Sequence, residues 1–232
     1  NTDGSITSQV SASTTSGFSI VSYTGTGAVG NIGHGLGSTP KMIIKKRRNG
    51  ADAWNVWHES LGDGSKALFL NTTNATDTNA NYASNVPTSS LFYVGTDSQI
   101  NASGGTYIAY CFAEKKGYSK FGSYTGNGST DGAFIYTGFK PAFVIIKRTN
   151  STTPWCMWDN KRNTFNVTQN YLYTNSSDAE GSGAGIDIDM LSNGFKLKTT
   201  SGFLNTSGDS FIYMCFAENP LVTTGKVPAT AR

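Results

Sequence analysis

Charged residues are scarce in this chain of 232 amino acids. Only 14% of them are charged, whereas a typical soluble domain carries about 25%. The formal net charge of +3 is too small for the basic footprint of a nucleic-acid-binding protein. No uninterrupted apolar run approaches the roughly 18 residues that a membrane-spanning helix needs. We therefore expect no nucleic-acid partner and no membrane insertion.

Catalytic motifs and a disulfide framework are also missing. The chain has only two histidines, His34 and His58, and it lacks the G-x-S-x-G, H-E-x-x-H, C-x-x-C and P-loop patterns. Its three cysteines are an odd number, and Cys111 and Cys215 lie in apolar runs that are typical of a core. These absences predict a non-enzymatic protein without a cofactor, assembled in a reducing cytosol.

Internal repetition is the strongest feature that is present. The segment Ser22-Tyr23-Thr24-Gly25-x-Gly27 returns 101 positions later as Ser123-Tyr124-Thr125-Gly126-x-Gly128. The same offset relates Pro40 to Pro141, Trp54 to Trp155 and Trp57 to Trp158, and an offset of 104 relates Cys111-Phe112-Ala113-Glu114 to Cys215-Phe216-Ala217-Glu218. Unrelated segments agree at roughly one position in fifteen. The sequence therefore predicts two copies of one domain-sized unit.

The residue pattern within each copy favours β-strands. Apolar and polar residues alternate over Phe18–Tyr23, and glycine-rich turns such as Gly25-Thr26-Gly27 punctuate the apolar runs. Strands are predicted at 18–23, 41–45, 54–58, 67–70, 91–94 and 107–113, and in the second copy at 119–124, 143–147, 155–158, 171–173, 195–198 and 211–216. This pattern predicts an all-β protein with two tandem, pseudo-repeated antiparallel β-sandwich units, jelly-roll-like, packed together.

The repeat also sets the expected domain boundaries. Residues 1–16 form a lead-in rich in Ser and Thr, residues 17–116 the first unit, residues 117–220 the second, and residues 221–232 a tail. Only Lys115 and Lys116 separate the two repeated segments, which is too short for a flexible tether.

The repeated tryptophans suggest a ligand-stacking site, because an aromatic face packs against sugar C–H groups as it does against other apolar surfaces. Neighbouring odd and even positions of a strand face opposite ways, so one of Trp54 and Trp57 is expected in the core. The outward ring would be free to stack. Trp57 and Trp158, with the polar residues that follow them, His58 and Asp159, are the candidate ligand contacts.

Two charged stretches are open to a binding or a structural interpretation. Asp178, Glu180, Asp187 and Asp189 flank a glycine-rich loop that could fold oxygen ligands around Ca²⁺. Their spacing matches no calcium-loop template, so an acidic, solvated loop is the alternative. The basic run Lys45-Lys46-Arg47-Arg48 ends an apolar strand and is interpreted as a solvated strand end.

Several phrases of the chain resemble a known duplicated domain. They are Gly17-Phe18-Ser19-Ile20-Val21-Ser22-Tyr23-Thr24-Gly25, His34-Gly35-Leu36-Gly37-Ser38-Thr39-Pro40-Lys41, Gly122-Ser123-Tyr124-Thr125-Gly126-Asn127-Gly128 and Phe216-Ala217-Glu218-Asn219-Pro220. They are similar to a domain of unknown function found at the C-terminus of tail-fibre-like virion proteins of marine and cyanobacterial tailed phages. The resemblance runs from about Gly17 to the end of the chain and implies a structural role in the particle.

The resemblance implies three functions to be distinguished. The first is a non-enzymatic tail-fibre or appendage segment at the virion surface that attaches to host-surface polysaccharide. The second is a capsid decoration or knob protein that binds other virion proteins, and the third is a polysaccharide depolymerase. By analogy with other phage appendages we expect a homo-oligomer, with a homotrimer as the first expectation.

Overall fold

The computed structural model describes residues 1–183 and 185–219, and its chain divides into two compact units. Unit 1 comprises Asn1–Asn71 and Thr76–Glu114. Unit 2 comprises the chain from Lys115 onward together with the short segment Thr72–Ala75. Both units are built from antiparallel sheets, so the chain has the predicted all-β sandwich fold.

Unit 1 contains nine strands, which are β1 Ser8–Ser13, β2 Phe18–Thr24, β3 Gly30–Gly33, β4 Met42–Arg47, β5 Asn55–His58, β6 Lys66–Phe69, β7 Asp77–Thr78, β8 Leu91–Val94 and β9 Thr106–Phe112. Seven strands form one sheet in the order β1-β2-β9-β4-β5-β6-β7, and β3 pairs with β8 in a second sheet. A 3₁₀ turn at Glu59–Leu61 and the short helix α1, Ser98–Asn101, complete the unit.

The described part of unit 2 contains eight strands, which are β10 Ser119–Thr125, β11 Phe134–Tyr136, β12 Pro141–Arg148, β13 Cys156–Asp159, β14 Leu172–Tyr173, β15 Ile188–Leu191, β16 Gly194–Leu197 and β17 Ser210–Ala217. One sheet has the order β10-β17-β12-β13-β14, and the other has the order β11-β16-β15. The first of these orders corresponds to β2-β9-β4-β5-β6 in unit 1, where β1 precedes the equivalent strands in the chain.

The core of each unit lies between its two sheets, because alternate residues of the strands face inward. Strand β9 alternates strictly between half-buried and buried positions, so Cys111 is fully buried while Phe112 stays half-exposed. In unit 2 Cys215 is likewise buried, and Cys156 lies in the same core. All three cysteines are free thiols. The thiols act as small apolar side chains, as the sequence predicts.

Two asparagines hold the turns that connect the sheets. Asn101 is fully buried; its side-chain oxygen accepts from the Thr26 amide at 2.9 Å, and its amide nitrogen donates to the carbonyls of Ala28 and Gly95 at 2.6 and 2.7 Å. Asn205, 104 positions later, accepts from the Asn127 amide at 2.9 Å and donates to two loop carbonyls. The turn glycines Gly27 and Gly128 have φ angles of 73° and 68°, a conformation that favours glycine. Each turn is thus held by the side-chain amide of one asparagine, whose oxygen and nitrogen are both hydrogen-bonded.

The structure differs from the sequence prediction mainly by adding strands. The lead-in at 1–16 contributes β1, which pairs with β2 along its whole length. The short strands β3, β7, β11 and β15 also have no predicted counterpart, since two to four residues are too few to show an alternation. The predicted tail at 221–232 lies outside the described residues. No helix in the part of the chain that the structure describes is long and apolar enough to span a membrane.

Candidate functional site

A surface cavity of about 220 Å³ lies in unit 2, next to the end of β13. Polar side chains dominate its wall, which is formed by Lys140, Asn160, Asn163, Thr164, Phe165, Asn166, Thr168, Met190 and Glu218. Pockets for drug-sized ligands enclose about 300–1,000 Å³. This smaller cavity therefore suits a single ring-sized polar group.

One side of the cavity is a hydrogen-bonded group of three charged or amide side chains. The Glu218 carboxylate accepts from Asn160 Nδ2 at 2.8 Å and forms an ion pair with Lys140 Nζ at 2.8 Å. The backbone fixes the same residues, because the Glu218 amide donates to the Lys140 carbonyl and the Asn160 amide to the Ala142 carbonyl. Donors and an acceptor are thus held in place around the carboxylate before any ligand arrives.

The opposite side is the loop between β13 and β14. Asn166 holds it against β15, since its side chain donates to the Met190 carbonyl at 3.1 Å and accepts from the Met190 amide at 2.9 Å. Thr168 pairs with Ile188 through its backbone in both directions. These bonds give an irregular loop the fixed position that a binding site requires.

Phe165 is the most exposed large apolar side chain of the described residues that surround the cavity. Its ring is 85% exposed, although it lies within the loop that Asn166 anchors. An exposed aromatic face beside amide, carboxylate and ammonium groups is the combination that contacts both the C–H face and the hydroxyls of a polar ring. The side chains around the cavity therefore offer both kinds of contact.

The predicted stacking role is not open to Trp57 or Trp158. Both side chains lie in the cores, at 5% and 0% exposure, because each occupies the inward face of its strand. The indole nitrogen of Trp57 donates to the Asp63 carbonyl at 3.1 Å. Both rings therefore pack in the cores, which is the alternative that the repeat favours. Trp54, the other tryptophan of that strand region, stacks on Tyr110 at a ring-centroid distance of 6.5 Å.

The residues beside those tryptophans have local structural contacts. His58 is 1% exposed, and its Nδ1 accepts from the Ser60 amide at 3.1 Å as the cap of the 3₁₀ turn. Asp159 accepts from the amides of Lys161 and Arg162 and pairs with the Arg162 guanidinium at 2.8 Å. Burial acts to raise the pKa of Asp159, but the backbone hydrogen bonds and the Arg162 charge outweigh burial and lower it. Neither side chain lines the cavity.

The four acidic residues proposed for Ca²⁺ lie in two separate settings. Glu180 pairs with Arg162 and accepts from Asn170 Nδ2 at 2.7 Å, while Asp178 is exposed. Asp187 and Asp189 each keep one buried carboxylate oxygen without a partner among the residues that the structure describes, and burial raises the pKa of Asp187. Among the described residues no group of three or more His, Cys, Asp or Glu side chains is close enough together to hold a metal ion.

The residues that line the cavity were not predicted, although the sequence contains a hint of them. Four asparagines, Asn160, Asn163, Asn166 and Asn170, fall within eleven positions of the loop after β13. Asparagine is common in any turn, so this density alone could not be separated from ordinary loop composition.

The fold and the cavity together define an all-β protein of antiparallel sandwiches that carries a preformed polar surface site. The chain belongs to the family described as a domain of unknown function, DUF7483, whose match covers residues 1–220. No curated protein and no solved structure matches the chain.

Proposed function

We propose that this chain is a non-enzymatic structural protein of a tailed-phage virion, a tail-fibre or appendage segment that attaches to host-surface glycan through the cavity of unit 2. The phage context rests on the phrases that resemble virion proteins, quoted above. The attachment role is supported by one observation, the exposed Phe165 ring beside the fixed group of Lys140, Asn160 and Glu218.

The chemistry of the cavity suits sugar recognition. A sugar ring offers apolar C–H faces and hydroxyls that both donate and accept hydrogen bonds. Phe165 supplies an apolar face, while the amide groups of Asn160 and Asn163 supply donors and acceptors. The Lys140 ammonium adds a cationic donor that would favour an acidic sugar such as a uronic acid.

Binding without cleavage is the favoured mode of action. Most glycoside hydrolases place two carboxyl groups about 5 to 9.5 Å apart across the scissile bond. Of the described residues that line the cavity, Glu218 is the one carboxylate, and it is engaged by Asn160 and Lys140. This arrangement leaves no second carboxylate for an acid and base pair there, which supports attachment over depolymerisation.

We also propose that the two units arose by duplication of one domain. The repeated sequence positions support this, and so do their contacts. The hydroxyl of Tyr23 donates to the Ile100 carbonyl at 2.7 Å, and that of Tyr124 donates to the Leu204 carbonyl at 2.8 Å. The amides of Trp54 and Trp155 donate to the side-chain oxygens of Asn71 and Asn175, both at 2.8 Å.

A capsid decoration role is the second candidate, and one surface feature favours it. Phe134 and Tyr136 lie two positions apart on β11 and are 47% and 65% exposed. Both project from the outer face of their sheet, where Tyr136 faces Gly194 across the strands. Exposed aromatic side chains of this kind are enriched in protein interfaces.

Two matched variants separate these functions. Phe165→Ala should lower binding to polysaccharide isolated from host cells by about tenfold, the effect of losing roughly 1.4 kcal/mol of aromatic contact. Tyr136→Ala removes an exposed ring elsewhere in the same unit and should leave glycan binding unchanged. Binding is measured by biolayer interferometry, with circular dichroism as the control for folding.

Three other outcomes would contradict the attachment role. Equal glycan binding by both variants and the unmodified chain would exclude the cavity as the glycan-binding site. Loss of binding to purified capsids by Tyr136→Ala alone would favour decoration. Release of soluble oligosaccharide by the unmodified chain would favour the depolymerase.

A further inference from the structure

A fully buried lysine in unit 2 holds a short chain segment in place. The Lys147 ammonium donates to the carbonyls of Thr153 at 2.9 Å, Ser151 at 3.5 Å and Thr73 at 3.2 Å. The Thr153 amide also donates to the Thr73 carbonyl, at 2.9 Å. Two donors of unit 2 thus converge on one carbonyl of the segment Thr72–Ala75, and Lys147 and Thr153 are 0% and 4% exposed beneath it.

Unit 1 has the same donors without the segment. Lys46, 101 positions before Lys147, donates to the carbonyls of Gly50 at 3.3 Å and Asp52 at 2.5 Å, which precede Ser151 and Thr153 by the same offset. Among the described residues Lys46 donates to no further acceptor, and the Asp52 amide makes no hydrogen bond. Both residues are partly exposed. We refer to the Lys46 ammonium and the Asp52 amide as the unit 1 socket.

A segment that matches Thr72–Ala75 follows Asn175. The chain reads Thr72-Thr73-Asn74-Ala75 after Asn71 and Ser176-Ser177-Asp178-Ala179 after Asn175. The two segments also share a turn, since the Asn74 amide donates to Thr72 Oγ1 at 3.4 Å and the Asp178 amide donates to Ser176 Oγ at 3.1 Å. Ser176–Ala179 is exposed throughout, and among the described residues the Ser177 carbonyl accepts no hydrogen bond.

We propose that the unit 1 socket binds the segment Ser176–Ala179 of a second copy of this chain. The Ser177 carbonyl of that copy accepts hydrogen bonds from Lys46 Nζ and the Asp52 amide, as the Thr73 carbonyl does from Lys147 and Thr153. Charge favours the pairing as well, because the segment carries Asp178 and the exposed Arg48 lies two positions after Lys46 of the socket. Arg47, the other neighbouring cation, already forms an ion pair with the Asp52 carboxylate.

The proposed contact has a defined consequence for assembly and does not depend on glycan binding. It joins a socket on one copy to a different surface on the next, so it is heterologous. A heterologous contact produces a closed ring when its rotation closes and a filament when it does not. The chain would therefore assemble through repeated use of one contact.

The test is the mass of the purified chain as a function of concentration, measured by sedimentation velocity. We expect the mass to rise to a multiple of the monomer. Lys46→Met should raise the dissociation constant by about tenfold or more, since a hydrogen bond from a charged donor contributes more than one between neutral groups. Lys66→Met, an equal loss of charge on another partly exposed lysine of unit 1, should leave it unchanged.

A second variant tests the contact without altering the socket, so that misfolding of the socket cannot explain the result. Replacing Ser176–Ala179 by Gly-Ser-Gly-Gly alters only exposed residues, and it should give a monomer with unchanged circular dichroism.

Mixing a chain that carries Asp52→Cys with one that carries Asp178→Cys should give a disulfide-linked pair, whereas Val29→Cys in place of Asp52→Cys should not. A monomer at every concentration, or an oligomer that the segment replacement leaves intact, would overturn the proposal.

Discussion

Lys45 is a lysine buried in the core of unit 1 at a cost to the stability of the fold. It is 5% exposed, its ammonium donates no hydrogen bond to any described residue, and it lines a cavity of about 10 Å³, roughly the size of one water. Across the strands it faces Asn55, whose amide nitrogen and oxygen are both buried without a protein partner. In unit 2 the positions 101 later are Ile146 and Cys156, and both are fully buried in an apolar core. Unit 1 therefore has two polar side chains at buried positions where unit 2 has two apolar ones.

Replacing that lysine should stabilise the protein. Lys45→Ile is expected to raise the free energy of unfolding at pH 7 by about 1–3 kcal/mol, because it removes an unpaired buried charge. The measurement is urea unfolding followed by tryptophan fluorescence. Lys66→Ile, at a partly exposed site of the same unit, should change it by less than about 0.5 kcal/mol. A less stable Lys45→Ile chain would show that the ammonium has a favourable role.

The pH dependence gives a second measurement of the same effect. Burial lowers the pKa of Lys45 from 10.5 to about 8, and the charges of Cys111 and Asp97 act in the opposite direction. Since the unfolded chain holds this proton more tightly, the cost of Lys45 is fully present below pH 8 and is lost as the pH rises to 10.5. The advantage of Lys45→Ile should therefore shrink between pH 8 and 10.5. An advantage that stays constant over this range would contradict the burial of a charged amine.

At the scale of elements, the turns beside α1 and before β17 depend on single side chains. Asn101 satisfies one amide and two carbonyls, and its bond to the Gly95 carbonyl is buried. Asn205 does the same in unit 2. The cost of losing such a side chain comes mainly from the backbone groups left behind.

Asn101→Ala and Asn205→Ala should therefore each lower the free energy of unfolding by about 2–4 kcal/mol. Asn74→Ala, at an exposed turn residue whose side chain makes no hydrogen bond among the described residues, is the matched control and should have little effect. Chemical denaturation of the three variants measures the difference. Equal stability of all three would mean that water replaces the asparagine side chain in these turns.

At the scale of the whole molecule, each unit has its own hydrophobic cluster. Phe92 of β8 and Phe195 of β16 are buried to 1% and 0% exposure in the clusters of unit 1 and unit 2. The Phe195 ring packs edge-on against Tyr213 at 5.5 Å, and the Phe92 ring packs edge-on against Tyr23 at 6.0 Å. In each unit a strand of the smaller sheet thus supplies a buried aromatic side chain to the cluster.

Removing one of these rings should act mainly on its own unit. Phe195→Ala is expected to cost about 3–5 kcal/mol and to accelerate amide hydrogen exchange in β12 and β17. Phe92→Ala should produce the converse pattern, with faster exchange in β4 and β9. Hydrogen exchange read by mass spectrometry separates the two. Uniform acceleration along the chain by both variants would show instead that the chain unfolds as one cooperative unit.

The sequence alone was sufficient for the fold class and for the strands that show a clear apolar pattern. Alternation and turn residues located β2, β9, β10 and β17 to within two residues, because period-two burial is a local property of an extended chain. The glycines likewise marked the turns, since a positive φ angle favours glycine there.

Only the tertiary structure decided which side chains are accessible. Lys45 lies in a basic run that is typical of a solvated strand end, yet strand pairing turns its side chain inward. The apolar residues before it are buried on both faces of the sheet, so they do not show which face the lysine takes. Strand pairing likewise turns Trp57 and Trp158 toward the cores. The cavity around Phe165 joins the loop after β13 to Met190 and Glu218, and contacts between segments so far apart in sequence form only once the sheets are paired.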